Sequence, residues 1–172
     1  LVTKEHPIIL KDDKEGFNVA ITGCNYNLKT DKDANKEPYM VDKKEGDFHI
    51  HLIHGMLTEK SYGTLFPHTL VDEIRDTKAD LTIAGHDHIG FDTIEHDGKL
   101  FVNPGAVIRL NNGEREMARQ PKVMLIDITK EKGIQLKMIP LKSAKPAEEV
   151  LSVENKIEKK TMEQRINSIN KH

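Results

Sequence analysis

The sequence predicts an α/β fold, and three stretches predict it. Leu81 to Ala84 is an apolar run that ends in Gly85-His86-Asp87-His88, and a short apolar run closed by glycine reads as a buried strand. Asp47 to Leu57 alternates, with Phe48, Ile50 and Leu52 on one strand face and His49 and His51 on the other, and reaches His54-Gly55 near its end. Between them, Pro67 to Lys78 carries Leu70, Val71, Ile74 and Thr77 at helical spacing, with Pro67 suited to a first turn. Strand, helix and strand make one βαβ unit. A right-handed crossover makes the two strands parallel and brings both histidine-bearing ends to the same sheet edge. Open α/β sheets place their ligands at that edge.

The remaining elements follow in order. His6 to Leu10 predicts a strand, Lys11 to Gly16 a charged turn, and Phe17 to Thr22 a second strand closed by Gly23-Cys24-Asn25-Tyr26. Lys29 to Gly46 is charged or polar, contains Pro38 and reads as a solvated surface loop. Phe91 to Val102 predicts a hairpin around Asp97-Gly98, a strong two-residue turn signal. Asn103-Pro104-Gly105 suits a type II turn, with proline second and glycine third. Val107 to Leu110 predicts a short strand and Asn111 to Pro121 a polar loop. Val123 to Ile128 and Ile134 to Leu141 predict a second hairpin around Glu131-Lys132-Gly133. The expected division is a domain over residues 1–142 and a charged amphipathic helical tail over 143–172, with Val150, Val153, Ile157, Met162, Ile166 and Ile169 on its apolar side.

Composition narrows the function classes. The 172 residues suffice for one domain with its own core. At 37% hydrophobic and 31% charged, the chain reads as polar and soluble. Its longest apolar runs fall well short of the roughly 18 residues that predict a membrane span. A net charge of −2 excludes a global basic footprint for nucleic acid. Cys24 stands alone and forms no internal disulfide, which fits a reducing, cytoplasmic setting. The first residue is Leu1 rather than methionine, as expected of a chain with an upstream part removed, a piece of a longer product or a non-standard start.

The chemistry sits on His54, His86 and His88. Imidazole is the commonest side-chain metal ligand and is largely neutral at cellular pH. Gly85 would let the backbone turn sharply at the strand end. For Gly85-His86-Asp87-His88 alone, a solvated polar loop and a metal-binding turn are both open. The parallel strand carrying His54 favours the metal, because three imidazoles from distant parts of the sequence would converge. His49 and His51 read as strand-face residues, and His96 as a solvated residue beside its turn.

His54-Gly55, then Gly85-His86-Asp87-His88, then Asn103-Pro104-Gly105-Ala106, in that order, resembles the C-terminal half of the calcineurin-like metallophosphoesterases. The spacing and the intervening hairpin look like the Mre11/SbcD-type nuclease branch, with phage or prophage relatives. The likeness covers roughly residues 45–140. It implies a two-sheet β-sandwich flanked by helices, here lacking its N-terminal strands. It also implies two divalent metal ions (manganese, iron or zinc) bridged by an aspartate, with His54 and His86 on one and His88 on the other. Gly55, Gly85, Asp87, Asn103 and Gly105 would be supporting residues, Asp87 as a loop carboxylate and the Asn103–Gly105 turn as architecture.

The chain departs from that pattern upstream. The family's Gly-Asp-x-x-Asp and Gly-Asn-His motifs do not occur. Asp47-Phe48-His49 matches Asp-x-His in letters only, since it begins a strand instead of ending one. The expectation is therefore a phosphodiesterase or DNA nuclease whose isolated chain is inactive and holds one metal or none. Its partners would be the N-terminal half of the same domain, DNA and, through the tail, a coiled-coil ATPase; no membrane is implied. The competing expectation is a truncated, non-catalytic metal-binding or assembly module.

Overall fold

The computed structural model describes residues 2–151. Its framework is a six-stranded mixed sheet in the order β1-β2-β3-β6-β8-β7. The strands are β1 (Ile8–Asp12), β2 (Phe17–Cys24), β3 (Phe48–Gly55), β6 (Leu81–His86), β7 (Phe91–His96) and β8 (Lys99–Asn103), with the short β4 (Leu57–Thr58) and β5 (Thr69–Leu70) between β3 and β6. The central strands β2, β3, β6 and β8 run parallel, and the outer β1 and β7 run antiparallel to their neighbours. β9 (Lys122–Thr129) and β10 (Gly133–Pro140) form a separate antiparallel hairpin. The described helices are short: α1 (Glu114–Ala118) and α2 (Ala147–Val150). This is an α/β fold dominated by strands.

Each face of the sheet carries its own core. Side chains alternate along β3, so Ile53 enters a cluster with Tyr39, Leu57, Val71, Ile74, Ala84 and Phe101. Ile50 points the other way, into a cluster with Phe17, Val19, Leu81 and Val102. The hairpin covers the second face through Met124, Ile126, Ile128, Ile134, Leu136 and Met138, all only partly buried. That cover stops short of the C-terminal end of β3, where Leu52 is 41% exposed.

Both predicted hairpins and the parallel pairing of the two histidine strands are present. Four expectations need correction. The crossover is not an α-helix: β5 and a 3-10 helix at Val71–Ile74 occupy the stretch predicted as helical over Pro67 to Lys78. Val71, Ile74 and Thr77 are all buried. Their three-residue spacing is also the 3-10 period, and three β-branched residues disfavour a longer α-helix. Residues 29–46 are largely loop but not a solvated linker. Thr30, Asp31, Tyr39 and Val41 are buried, because Asp31 and Tyr39 bond into the crossover. Val107 to Leu110 forms no strand. Arg119 donates to the carbonyls of Ala106 and Ile108 in place of a ladder partner. The expected polar loop over 111–121 contains α1. The expected tail beyond Leu151 lies outside the described residues.

Candidate metal centre

Parallel pairing sets the site. In the β3–β6 register His54 lies opposite Gly85, and Gly55 lies opposite His86. The two imidazoles meet at the strand ends, with His54 Nε2 and His86 Nδ1 3.1 Å apart. Their rings cross at 63° with centroids 5.2 Å apart. Tyr26, just past β2, stacks on His86 at a centroid distance of 5.1 Å and meets the His54 ring edge-on at 5.9 Å. One phenol ring thus contacts both imidazoles.

The turn carrying His86 falls one residue later than expected. His86 itself adopts the left-handed φ of +89°, whereas Gly85 does not. A Cβ on Gly85 would meet nothing within 4 Å. A non-glycine residue in that region costs conformational energy and is a frequent mark of functional sites. Of Gly55 and Gly85, the one with a steric duty is Gly55: a Cβ there would lie 2.2 Å from Tyr39 Oη.

The loop after His86 is clamped from β8. Asn103 Nδ2 donates to the Asp87 carbonyl at 2.8 Å, and the Gly105 and Ala106 amides donate to Asn103 Oδ1 and the His88 carbonyl. Gly105 has φ +78°, as the third residue of a type II turn requires, and a Cβ on it would crowd the His88 and Ile89 carbonyls at 2.9 Å. Asp87 turns its carboxylate onto the Ile89 amide at 3.1 Å. Asn103, Gly105 and Asp87 thus hold the shape of the His88 loop.

Asp31 is a residue the sequence reading missed. Its Oδ1 accepts from Tyr39 Oη at 2.5 Å and Thr69 Oγ1 at 2.7 Å, and its Oδ2 accepts from the Met56 amide at 2.7 Å. It therefore ties the 29–46 loop and β5 to the turn two residues beyond His54. Burial first, then the bond to Asp31, pushes the Tyr39 phenol well above its ordinary range. In sequence, Asp31 is one charge among Lys29, Lys32 and Asp33, and nothing local distinguishes it.

The donor set can be tested against a metal. Two nitrogens each about 2.0–2.1 Å from a tetrahedral ion lie roughly 3.3 Å apart, close to the His54–His86 separation of 3.1 Å. Burial, reinforced by His86 and His88, lowers the His54 pKa and favours the neutral ligand form. His88 is near enough to act on His54 electrostatically and lines the same cavity as His86. No group of three or more His, Cys, Asp or Glu residues in metal-holding geometry occurs among the described residues. His54 and His86 are thus brought together, and His88 stands beside them without joining the pair.

A comparison with curated proteins gives no match. Residues 12–131, well over half of the chain, match the family model of the calcineurin-like phosphoesterase superfamily domain. With two imidazoles paired at the ends of adjacent parallel strands, the chain belongs to the calcineurin-like phosphoesterases, a superfamily of hydrolases that generally use divalent metals.

Proposed function

We propose that the chain is the His-Gly and Gly-His-x-His portion of a phosphodiesterase or DNA nuclease, close in kind to the Mre11/SbcD-type branch. The observation that carries this reading is the 3.1 Å approach of His54 Nε2 to His86 Nδ1 at one sheet edge. His54 and His86 would hold one divalent ion, and His88 would turn toward a second. Divalent metal, when bound, supplies Lewis acidity to the phosphoryl group and to an attacking water. Tyr26 keeps the two rings facing one another, and the Asn103–Gly105 clamp keeps the His88 loop in place.

In this reading the Asp-x-His, Gly-Asp-x-x-Asp and Gly-Asn-His ligands come from an N-terminal segment that completes a two-sheet sandwich. Uncovered apolar surface supports that part. Ile8, Ile9 and Leu10 of the outer strand β1 are 45%, 43% and 52% exposed. An unpaired edge with apolar side chains is a ready template for further chain. DNA and a coiled-coil ATPase are the macromolecular partners this reading extends to, in a cytoplasmic setting.

The test is reconstitution. The chain is assayed with manganese, alone and with a segment carrying the three upstream motifs, against a chromogenic phosphodiester and DNA ends. Activity is expected only from the pair, and an inactive pair discards the reading. A second reading is a non-catalytic metal-binding or assembly module, favoured by a site that, among the described residues, pairs two imidazoles without a carboxylate ligand. A single tightly held ion in the isolated chain, together with an inactive pair, is the result that reading requires.

A further inference from the structure

A cavity of about 710 Å³ opens beside His86 and His88. That size suits a small-molecule ligand, and its walls differ in chemistry. His86 and His88 contribute imidazoles to the lining, and Tyr26, Met56, Phe66 and Pro67 contribute apolar and aromatic surface. Phe66 packs against Tyr62 with ring centroids 4.8 Å apart. Arg115 of α1 also lines the cavity, and its Nη1 donates to Tyr62 Oη at 3.1 Å. The Phe66–Tyr62–Arg115 row therefore joins an aromatic face to a guanidinium.

Arg115 differs from its neighbour Arg119. Arg119 is consumed by structure: it pairs with buried Glu116 and donates to the Ala106 and Ile108 carbonyls. Arg115 has no carboxylate within ion-pair distance among the described residues and is exposed. Among the described residues only one of its nitrogens has a hydrogen-bond partner, a neutral hydroxyl that orients the group. A planar guanidinium with free N–H donors matches the paired oxygens of a phosphoryl group. The other ionic residues on this wall form no ion pair with it among the described residues. Asp87 acts on Arg115 electrostatically while its carboxylate accepts from the Ile89 amide, Asp31 is engaged by Tyr39, Thr69 and Met56, Glu116 pairs with Arg119, and Lys32 adds a second cation to the lining.

We infer that the cavity binds a phosphoester bearing a planar aromatic group, with Arg115 on the phosphoryl oxygens and Phe66 against the ring. The inference rests on the phosphoesterase reading and names its substrate class. Arg115 is the phosphoryl anchor in it, and Phe66 is the specificity-determining residue that selects the substituent.

The test uses phenylphosphonate and methylphosphonate, which cannot be hydrolysed, titrated calorimetrically into the full 172-residue chain with and without manganese. Phenylphosphonate should bind about tenfold more tightly than methylphosphonate, a typical aromatic packing gain. Arg115→Ala should weaken both at least tenfold, and Arg115→Lys should recover part of the loss. Phe66→Ala should erase the phenyl preference, bringing the two affinities to within twofold of each other. Both side chains are exposed, so circular dichroism should show the variants folded like the parent. Equal affinity for the two phosphonates, no binding of either, or an Arg115→Ala effect within twofold would overturn the inference. If manganese binds but the phenyl preference is missing, this inference falls and the phosphoesterase reading stands. If Arg115-dependent phenylphosphonate binding persists while manganese fails to bind, the inference stands and the metal reading falls.

Discussion

Strand β3 carries two kinds of histidine, and the contrast between them shows what makes a candidate ligand. His49 and His51 are fully buried, and every ring nitrogen has a protein partner. The Glu45 amide donates to His49 Nδ1, so His49 carries its proton on Nε2 and donates to Thr22 Oγ1. Thr22 then donates to His51 Nδ1, and His51 Nε2 donates to the Pro38 carbonyl. One directional chain uses both imidazoles as neutral structural groups. Three residues on, His54 is exposed, and among the described residues its ring nitrogens meet only another imidazole, His86. The first pair is finished by the fold, and the second is left with coordinating capacity.

The comparison can be broken most strongly at Thr22. Thr22→Val keeps the shape and removes the link, leaving two buried imidazole nitrogens unsatisfied. At about 1–3 kcal/mol for each orphaned group, a loss of roughly 3 kcal/mol is expected in urea denaturation. A loss below about 0.5 kcal/mol would show that the chain of bonds is dispensable.

Acid should reach the same pair. Burial, chiefly, lowers the His51 pKa from 6.5 to about 4 and lowers His49 as well, with Asp80 and Glu45 opposing and Lys44 assisting the latter shift. Because the unfolded chain binds protons that the folded pair refuses, the contribution is complete above pH 6.5 and is lost as the pH falls toward 4. For His51 this is roughly 3 kcal/mol at 1.36 kcal/mol per unit. Stability against pH should therefore fall less steeply over that window in His51→Gln than in the parent. Parallel curves would refute the assignment.

A third contrast concerns the glycines beside the exposed pair. Gly55→Ala pushes a methyl into Tyr39 Oη, which cannot retreat without releasing Asp31. Overpacking of this kind costs about 1–3 kcal/mol. Gly85→Ala meets open space and should change the melting temperature little. Similar shifts for both would mean that Tyr39 yields freely. The smallest stability effect is expected at His54 itself. His54→Ala should change folding by less than about 0.5 kcal/mol, as for an exposed site, while abolishing tight manganese or zinc binding by calorimetry. Unchanged metal affinity would remove His54 from the ligand set.

These regions were unequally legible in the sequence. β3, β6 and both hairpins announce themselves by alternation and by Asp97-Gly98 and Gly133, because strand period and turn chemistry are local. His54 and His86 could be placed together because a crossover between parallel strands constrains their ends. The crossover's own form was not readable, since Val71, Ile74 and Thr77 satisfy two helical periods at once. Asp31, Tyr39 and the Thr22 link were hidden for another reason. Their burial comes from partners dozens of residues away, and nothing beside them in sequence records those partners. Arg115 looked like one more charge in a polar loop until α1 placed it on the cavity wall.

The left-handed backbone at His86 has one more consequence. Non-glycine residues in that region give up about 1–2 kcal/mol relative to a relaxed conformation. Glycine would relieve that tension, so His86→Gly should make the metal-free protein harder to unfold while removing one of its two paired imidazoles. At this position durability and chemistry pull in opposite directions, and a screen for thermal resistance alone would select against the site.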